Sequence, residues 1–215
     1  MALETPADAK ITFNGEAVSN VADGYYVDKS IQCVAMPTIP VGISTLEVEY
    51  PFGQRTALEW MYLLGDFGVE VDGRHARIIA EREKIGCANI VNQGMPFYSG
   101  TLTYHMETET NGGDLEVTVP QYRGSAVRVT VDNDQSKMIV YQPYCAKFTD
   151  LAAGKHRVDV KLYIPRSNGF GSVHLADGKH PYQSPNVWRT SGDSWTFEYR
   201  LLEEGILTAP WLYEI

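Results

Sequence analysis

The sequence lacks long hydrophobic runs and an excess of positive charge. No apolar stretch approaches the roughly 20 residues that a membrane-spanning helix needs. Residues 1–10, MALETPADAK, carry neither the basic region nor the apolar core of a secretory signal peptide. We therefore interpret the chain as cytoplasmic or as a piece of a larger secreted protein. Its 18 basic residues are outnumbered by 27 acidic ones, for a net charge of −9, which disfavours nucleic acid and anionic membranes as partners.

Motifs for disulfides, metal binding and nucleophilic catalysis are also missing. The three cysteines, Cys33, Cys87 and Cys145, are far apart and odd in number, so we predict buried thiols and no disulfide framework. The five histidines show no HxH or HxxxH spacing, which argues against a zinc site. Neither Ser99 nor Ser172 lies in a GxSxG sequence, which argues against a serine hydrolase.

Short alternating segments separated by turn residues dominate the sequence instead. Lys10 to Asn14 alternates before an Asn-Gly turn signal, and Ala126 to Asp132 alternates before Asp132-Asn133-Asp134. Similar segments recur about every 8 to 12 residues, and few stretches show helical periodicity. The pattern predicts an all-β fold of β-sandwich or jelly-roll type. A hydrophobic content of 44% is enough for a sizeable core.

An internal repeat relates the two halves of the chain. The corresponding segments are Thr12-Phe13-Asn14-Gly15 with Thr130-Val131-Asp132-Asn133, Tyr26 with Tyr144, and Leu46-Glu47-Val48 with Val158-Asp159-Val160. Each copy runs from a strand through an Asn or Asp turn and an aromatic residue to a further alternating strand. We interpret the repeat as an internal duplication of a half-domain pattern. It predicts a first β-sandwich subdomain at residues 1–94 and a second, jelly-roll domain at residues 95–215.

The same residues resemble a known family. The order of apolar strand, Asn-Gly, aromatic, Asp, and Gly before Leu-x-Val in Phe13 to Val48 is similar to the galactose-binding-like jelly roll of bacterial glycoside hydrolases of the family 2 type. The second copy looks similar, and Asn168 to Tyr199 resembles the C-terminal region of large uncharacterised glycosidase-like proteins. The resemblance implies an accessory module whose partners are carbohydrate and the catalytic domain of a parent glycosidase. A chain of 215 residues with so little helix cannot itself hold a catalytic barrel.

Aromatic residues are the one enriched chemistry, with 13 tyrosines and four tryptophans. Sugars stack their C–H faces on such rings and direct their hydroxyls to polar side chains. The stretch from Asn168 to Leu201 combines both kinds of residue in a long, turn-rich loop that we expect to be ordered. The predicted ligand-binding residues are His174, Tyr182, Asn186, Trp188 and Arg189. In the alternative interpretation, Trp188 packs the loop against the domain and contacts no ligand.

Other aromatic and acidic residues also carry predictions. Ser194 to Leu201 alternates as a strand that places Trp195 and Tyr199 in the core. Trp60 and Tyr62 are expected to be buried in an apolar run, and Trp211 is expected to fasten the C-terminus. Asp132 and Asp134 are candidate ligands of a structural calcium ion, and a plain Asx turn is the alternative explanation for both.

The functional prediction is a non-catalytic carbohydrate-binding or accessory module that needs no cofactor. One alternative is a purely structural domain that packs against a catalytic barrel and binds no sugar. Another is a glycosidase in its own right, for which two carboxyl groups must face each other across the sugar. Asp66 with Glu70, or Glu116 with Glu198, are pairs that sequence spacing alone does not bring together.

Overall fold

The structure is a computed structural model, and its description covers residues 1–54, 56, 59–176 and 192–215. These residues form antiparallel β-sheets with a single four-residue α-helix, α1 (Ser167–Phe170), so the predicted all-β fold is confirmed. Short 3-10 helices lie at Pro6–Asp8, Ile90–Gln93 and Gly192–Ser194. Within the described ranges no helix has the length and apolarity to cross a bilayer. The chain divides into two compact units, Met1–Asp66 and Phe67–Ile215.

The first unit, Met1–Asp66, is built from two three-stranded antiparallel sheets. Its strands are β1 (Ala2–Glu4), β2 (Lys10–Phe13), β3 (Glu16–Val18), β4 (Ala22–Tyr26), β5 (Asp28–Val34) and β6 (Leu46–Glu49). The sheet orders are β1-β5-β4 and β3-β2-β6. Its core is small, because few of its described apolar residues are buried: Met1, Ala2, Leu3, Ala9, Ile11, Phe13 and Val34.

The second unit, Phe67–Ile215, holds the remaining strands. They are β7 (Gly68–Asp72), β8 (His75–Ile79), β9 (Gly100–Thr110), β10 (Gly113–Thr118), β11 (Tyr122–Arg123), β12 (Ala126–Val131), β13 (Gln135–Ile139), β14 (Cys145–Leu151), β15 (Gly154–Ile164), β16 (Gly205–Ile206) and β17 (Trp211–Glu214). Two large sheets have the orders β13-β12-β15-β9 and β14-β10-β17, and β7-β8 and β11-β16 are two-stranded.

The two large sheets of this unit enclose one hydrophobic core and form a β-sandwich. Alternate residues of each strand point inward, so that Val129 and Val160 from one sheet and Val117 and Phe148 from the other are all fully buried. The chain crosses repeatedly between the sheets, as from β9 to β10 and from β14 to β15, which is the connectivity typical of jelly rolls.

Strand pairing reproduces the repeat predicted from the sequence. In the first unit β2 lies between β3 and β6, and in the second β12 lies between β13 and β15. The register is also the same, because corresponding residues have corresponding partners across the sheet: Phe13 pairs with Leu46 as Val131 pairs with Val158, Thr12 with Glu47 as Thr130 with Asp159, and Ile11 with Val48 as Val129 with Val160. The shared motif is therefore a three-stranded arrangement, and it is accompanied in each unit by a pair in the other sheet, β1 with β5 and β10 with β14.

The turns of the two copies are fixed in the same way. Asn14 and Asp132 both have φ of 51°, and each is followed by a second residue of positive φ, the conformation of a type I′ turn. The Asn14 N–H donates to the Thr45 carbonyl at 2.8 Å while its side-chain oxygen accepts from the Thr45 N–H at 2.8 Å. Asp132 makes the same two bonds with Arg157, both at 2.9 Å.

The boundary between the compact units differs from the predicted domain boundary. Residues 67–94 belong with the second unit because Ile85, Cys87 and Ile90 pack against its core. The Ile90 N–H also donates to the carbonyl oxygen of Glu204 at 2.8 Å. The division of the chain into domains 1–94 and 95–215 stays a prediction about the extent of the repeat.

The strand predicted for Ser194 to Leu201 is wrong. This segment makes one isolated bridge, between Trp195 and Leu175, and then bends at residues 197 and 198. Alternation alone does not make a strand, because the backbone also needs a partner edge along its length. Phe197 is 69% exposed as a result.

Candidate functional site

A cluster of aromatic rings surrounds His174, the predicted ligand-binding residue that falls within the described chain. Its ring centroid lies 4.7 Å from that of Tyr199 and 5.5 Å from that of Trp195. Trp195 packs edge-on against Phe197 at 4.4 Å, and Tyr199 contacts Phe97 at 5.6 Å. We call these five residues the His174 cluster.

Two buried residues and two backbone hydrogen bonds fix the position of the His174 cluster. Val173 and Leu175 are buried apolar residues on either side of His174. The Thr196 N–H donates to the His174 carbonyl at 2.9 Å, and the Arg200 N–H donates to the Val173 carbonyl at 2.7 Å. These bonds set the two segments side by side, so the half-buried His174 ring is directed toward the rings of the opposite segment.

Polar groups lie beside the rings. Glu198 and Arg200 form an ion pair of 2.9 Å in which both side chains are about half exposed. One ring nitrogen of His174, Nδ1, lies 3.3 Å from the Glu198 carbonyl oxygen. The cluster thus offers exposed ring surface together with a carboxylate and a guanidinium, which is the mixture that hydroxyl-rich ligands use.

The other predicted site residues, Tyr182, Asn186, Trp188 and Arg189, lie outside the described residues. They belong to residues 177–191. On either side of this range, the Ala176 N–H donates to the Ser194 carbonyl oxygen at 2.9 Å. The sequence predicts Trp195, Phe197 and Tyr199 on one face of a strand and none of them as a ligand-binding residue. No sequence signal distinguishes this segment from a strand, because whether an alternating segment forms one depends on a partner edge along its length.

Asn168 fastens the beginning and the end of this region to each other. It is 2% exposed, and its side-chain amide donates to the Leu202 carbonyl and accepts from the Leu202 N–H, both at 2.9 Å. A buried amide that satisfies a backbone N–H and C=O acts as a fixed link between two chain segments. Asn168 and Leu202 are therefore held together, and His174, Trp195, Phe197 and Tyr199 of the cluster lie between them in sequence.

Glu204 is a buried carboxyl group close to this anchor. It is 2% exposed, and neither carboxyl oxygen accepts a hydrogen bond from a described residue. Burial raises the pKa of Glu204 to about 7, and the nearby Asn168 amide, whose N–H is given to Leu202, lowers it only in part. Burial disfavours the charged form of a carboxyl group, so Glu204 is half neutral near pH 7.

Asp132, one of the calcium candidates, has both carboxylate oxygens engaged by the protein. Oδ1 accepts from the Arg157 N–H, and Oδ2 lies 2.6 Å from Nδ1 of His156. These bonds explain the turn without a metal ion. Among the residues that the structure describes, no group of three or more His, Cys, Asp or Glu side chains is arranged to hold one. Calcium binding by Asp132 and Asp134 stays a prediction.

The chain matches no protein-family model and no curated protein. Among solved structures it is similar to a rhamnosidase from Novosphingobium sp. PP1Y, with a TM-score of 0.39 and 13% identity over 95% of this chain and 20% of that chain. It is also similar to a GH2 beta-galacturonidase from Eisenbergiella tayi bound to glycerol, with a TM-score of 0.35 and 19% identity over 68% of this chain and 22% of that chain. The chain thus spans about a fifth of the length of either protein, and similarities this weak carry no argument about function.

Proposed function

We propose that the chain is a non-catalytic β-sandwich module that binds carbohydrate on behalf of a glycoside hydrolase. The ligand would lie on the His174 cluster, and the proposal also includes the predicted residues Tyr182, Asn186, Trp188 and Arg189. The observation that supports this proposal is the cluster itself. It presents partly exposed rings next to an ion pair on a base of buried residues and backbone hydrogen bonds.

The chemistry of the cluster suits a sugar. A pyranose places a C–H face on an aromatic ring and keeps its hydroxyl groups at the edge, where carboxylates accept and guanidinium groups donate hydrogen bonds. Phe197, at 69% exposure, leaves most of its ring surface open. Glu198 and Arg200 are within the same short segment and supply the acceptor and the donor.

Isothermal titration calorimetry against a panel of neutral and acidic oligosaccharides tests the proposal. Phe197→Ala and Trp188→Ala should each weaken binding by about 2- to 10-fold, because an aromatic contact contributes about 0.5–1.5 kcal/mol beyond its buried area. The matched control is Phe52→Ala, which removes a ring that is 80% exposed in the first unit and should leave binding unchanged. The absence of heat with every sugar would contradict the proposal.

A structural role is the second candidate, and the surface of the first unit favours it. Val41 and Ile43 are fully exposed, and Phe52 is 80% exposed. Large apolar side chains in contact with water are typical of surfaces that another polypeptide covers. In this case the unit packs against a catalytic domain, no sugar binds, and Phe52→Ala is the variant that matters. Hydrolysis by the chain itself would instead appear as release from chromogenic glycosides.

A further inference from the structure

A second pair of aromatic rings lies on the outer face of the β14-β10-β17 sheet. Trp211 and Tyr213 alternate along β17 with Leu212, which packs against the core. They are 50% and 48% exposed. Trp211 is paired with Thr118 in the sheet, and the expectation that it fastens the C-terminus does not by itself explain why half of its surface is open.

The two rings form a corner and not a flat platform. Their centroids are 6.3 Å apart, and their planes meet at 79°. A flat, extended polysaccharide surface needs coplanar rings, whereas a corner accommodates a single sugar ring. One pyranose can lie on one aromatic face while the perpendicular ring closes its side.

Polar groups border the corner on the neighbouring strands. Trp211 pairs across the sheet with Thr118, and Tyr213 pairs with Glu116, so all four side chains stand on the same face. Glu116 is positioned by Lys147, whose Nζ lies 3.5 Å from Oε2, and by the Thr118 hydroxyl, which donates to Oε1 at 3.4 Å. The Glu116 side chain is 25% exposed and the Lys147 side chain 61% exposed, so acceptor and donor both remain within reach of a ligand.

This ion pair also argues against an apolar protein surface as the occupant of the corner. Covering Glu116 and Lys147 with apolar groups would remove both charges from water without new hydrogen bonds. A hydroxyl-rich ligand replaces the lost water with its own donors and acceptors, and its C–H face still covers the rings.

The first unit shows that the fold does not require these polar groups. It contains the related sequence Trp60-Met61-Tyr62, and Tyr62 forms an antiparallel bridge with Ala2 in β1, as Tyr213 pairs with Glu116 in β10. Trp60 is 65% exposed, which corrects the expectation that it is buried.

The polar pair is replaced in this copy. Ala2 takes the place of Glu116, and its partner across the sheet, Cys33, takes the place of Lys147. The rings are therefore present in both copies, whereas the carboxylate and the ammonium group are present only in the second. Trp60 thus provides a matched control for Trp211.

We propose that the corner formed by Trp211 and Tyr213, with Glu116, Lys147 and Thr118 at its border, is a separate subsite for a single pyranose residue of a neutral glycan. The subsite rests on the proposed carbohydrate-binding function. It lies on the sheet face, outside the His174 cluster, so a chain that uses both sites binds two sugar residues or two points of one branched glycan.

The test compares Trp211→Ala, Glu116→Gln and Trp60→Ala in the full chain. The probes are galactose, glucose, mannose, xylose and rhamnose, with their short neutral oligosaccharides, measured by calorimetry and by saturation-transfer NMR. Trp211→Ala should weaken binding of at least one sugar by about 10-fold, Glu116→Gln should weaken it several-fold, and Trp60→Ala should leave it unchanged. Glu116→Gln preserves the shape of the sheet, so it remains informative if Trp211→Ala fails to fold.

The outcomes separate this subsite from the proposed function. Binding that is lost with Phe197→Ala but retained in full with Trp211→Ala and Glu116→Gln overturns the subsite and leaves the proposed function in place. Equal losses with Trp60→Ala and Trp211→Ala also overturn it, because the ring without the polar pair would then suffice. No binding of any sugar by the unmodified chain overturns both.

Discussion

The two units share a strand arrangement but differ in how much of it they bury. Val158 and Val160 of β15 are fully buried, whereas their equivalents Leu46 and Val48 of β6 are only half-buried. The cause is β9, which pairs with β15 over its whole length and places Tyr104 against the core. In the described part of the first unit, no strand lies in the corresponding position beside β6.

The two units therefore share the strand order of the three-stranded motif but differ in how much apolar surface is buried around it. The shared motif of three strands and a type I′ turn forms with either a small or a large core. The flanking strands determine the amount of apolar surface that leaves water, and hydrophobic stabilisation scales with that area. All four of the buried polar or charged residues within the described ranges, Thr110, His156, Asn168 and Glu204, also belong to the second unit.

The largest expected effect concerns the pH dependence of the second unit. Burial raises the pKa of Glu204 to about 7 in the folded chain. Below its unfolded pKa the carboxyl group is neutral in both the folded and the unfolded state, so it does not change the free energy of unfolding. As pH rises from about 4.5 through 7, the free energy of unfolding falls, because only the unfolded state ionises without cost. Glu204→Gln should remove this loss and raise the free energy of unfolding at pH 9 by about 3 kcal/mol. Urea denaturation at pH 5 and pH 9 measures the effect.

Hydrogen exchange resolved by peptide locates the Glu204 effect. Protection in β12 and β15 should change with the variant, whereas protection in β2 and β6 should not. An equal stability gain at pH 5 would contradict the assignment, because the neutral carboxyl group should then cost nothing extra.

A second comparison uses equivalent valines. Val160→Ala removes methyl groups from a fully packed site and should destabilise the second unit by about 2 kcal/mol, whereas Val48→Ala in the first should cost under about 1 kcal/mol. Thermal unfolding and hydrogen exchange of both variants give the two values. Equal decreases in the free energy of unfolding would mean that β6 is as fully buried as β15, and the difference in burial between the two units would be contradicted.

The smallest expected effects concern side-chain hydrogen bonds at the two type I′ turns, at Asp132 in the second unit and at Asn14 in the first. His156 has acceptors for both ring nitrogens, Asp132 at 2.6 Å and the Ala152 carbonyl at 2.8 Å, an arrangement that favours the charged imidazolium form, which donates from both nitrogens. The hydrogen bond to Asp132 raises the pKa of His156, and the bond from His156 lowers the pKa of Asp132. The equivalent contact in the first unit is a neutral one, from Asn14 to Ser44 at 3.5 Å.

Asp132→Asn should therefore cost about 1–2 kcal/mol near pH 5, after allowance for the partial exposure of the carboxylate. The contribution of the pair should be complete between about pH 4 and 6.5. It should be lost as pH rises through the raised pKa of His156 and as pH falls through the lowered pKa of Asp132. Ser44→Ala should cost only a few tenths of a kcal/mol at any pH. A pH-independent loss in Asp132→Asn would show that the pair is not charged.

Much of the fold was predictable because it depends on local signals. Alternation in Ala126 to Asp132 and the turn residues at Asn14 and Asp132 identify the strands, and the repeat matches Thr12 with Thr130 and Glu47 with Asp159, which the structure places in the same register. Turn chemistry and period-two patterning act over a few residues, so a sequence displays them directly.

The candidate site was less predictable because it depends on which strands pair with one another. Ser194 to Leu201 alternates as well as any strand in the chain, yet its only β-bridge in the described residues is the isolated one between Trp195 and Leu175. Trp211 shares its surroundings with Glu116, a residue almost a hundred positions away in sequence, through the pairing of β10 with β17. Glu204 follows another glutamate and looks like a surface charge, and its burial becomes visible only in the folded chain.

The outer edge of β6 has a consequence for the behaviour of the protein in solution. An open strand edge invites pairing with the same edge of another molecule. Here Glu47 and Glu49 stand along it, both exposed, and two copies brought together would set like charges beside each other. These like charges disfavour edge-to-edge pairing of two copies through β6, and replacing Glu47 and Glu49 with neutral residues would remove that repulsion.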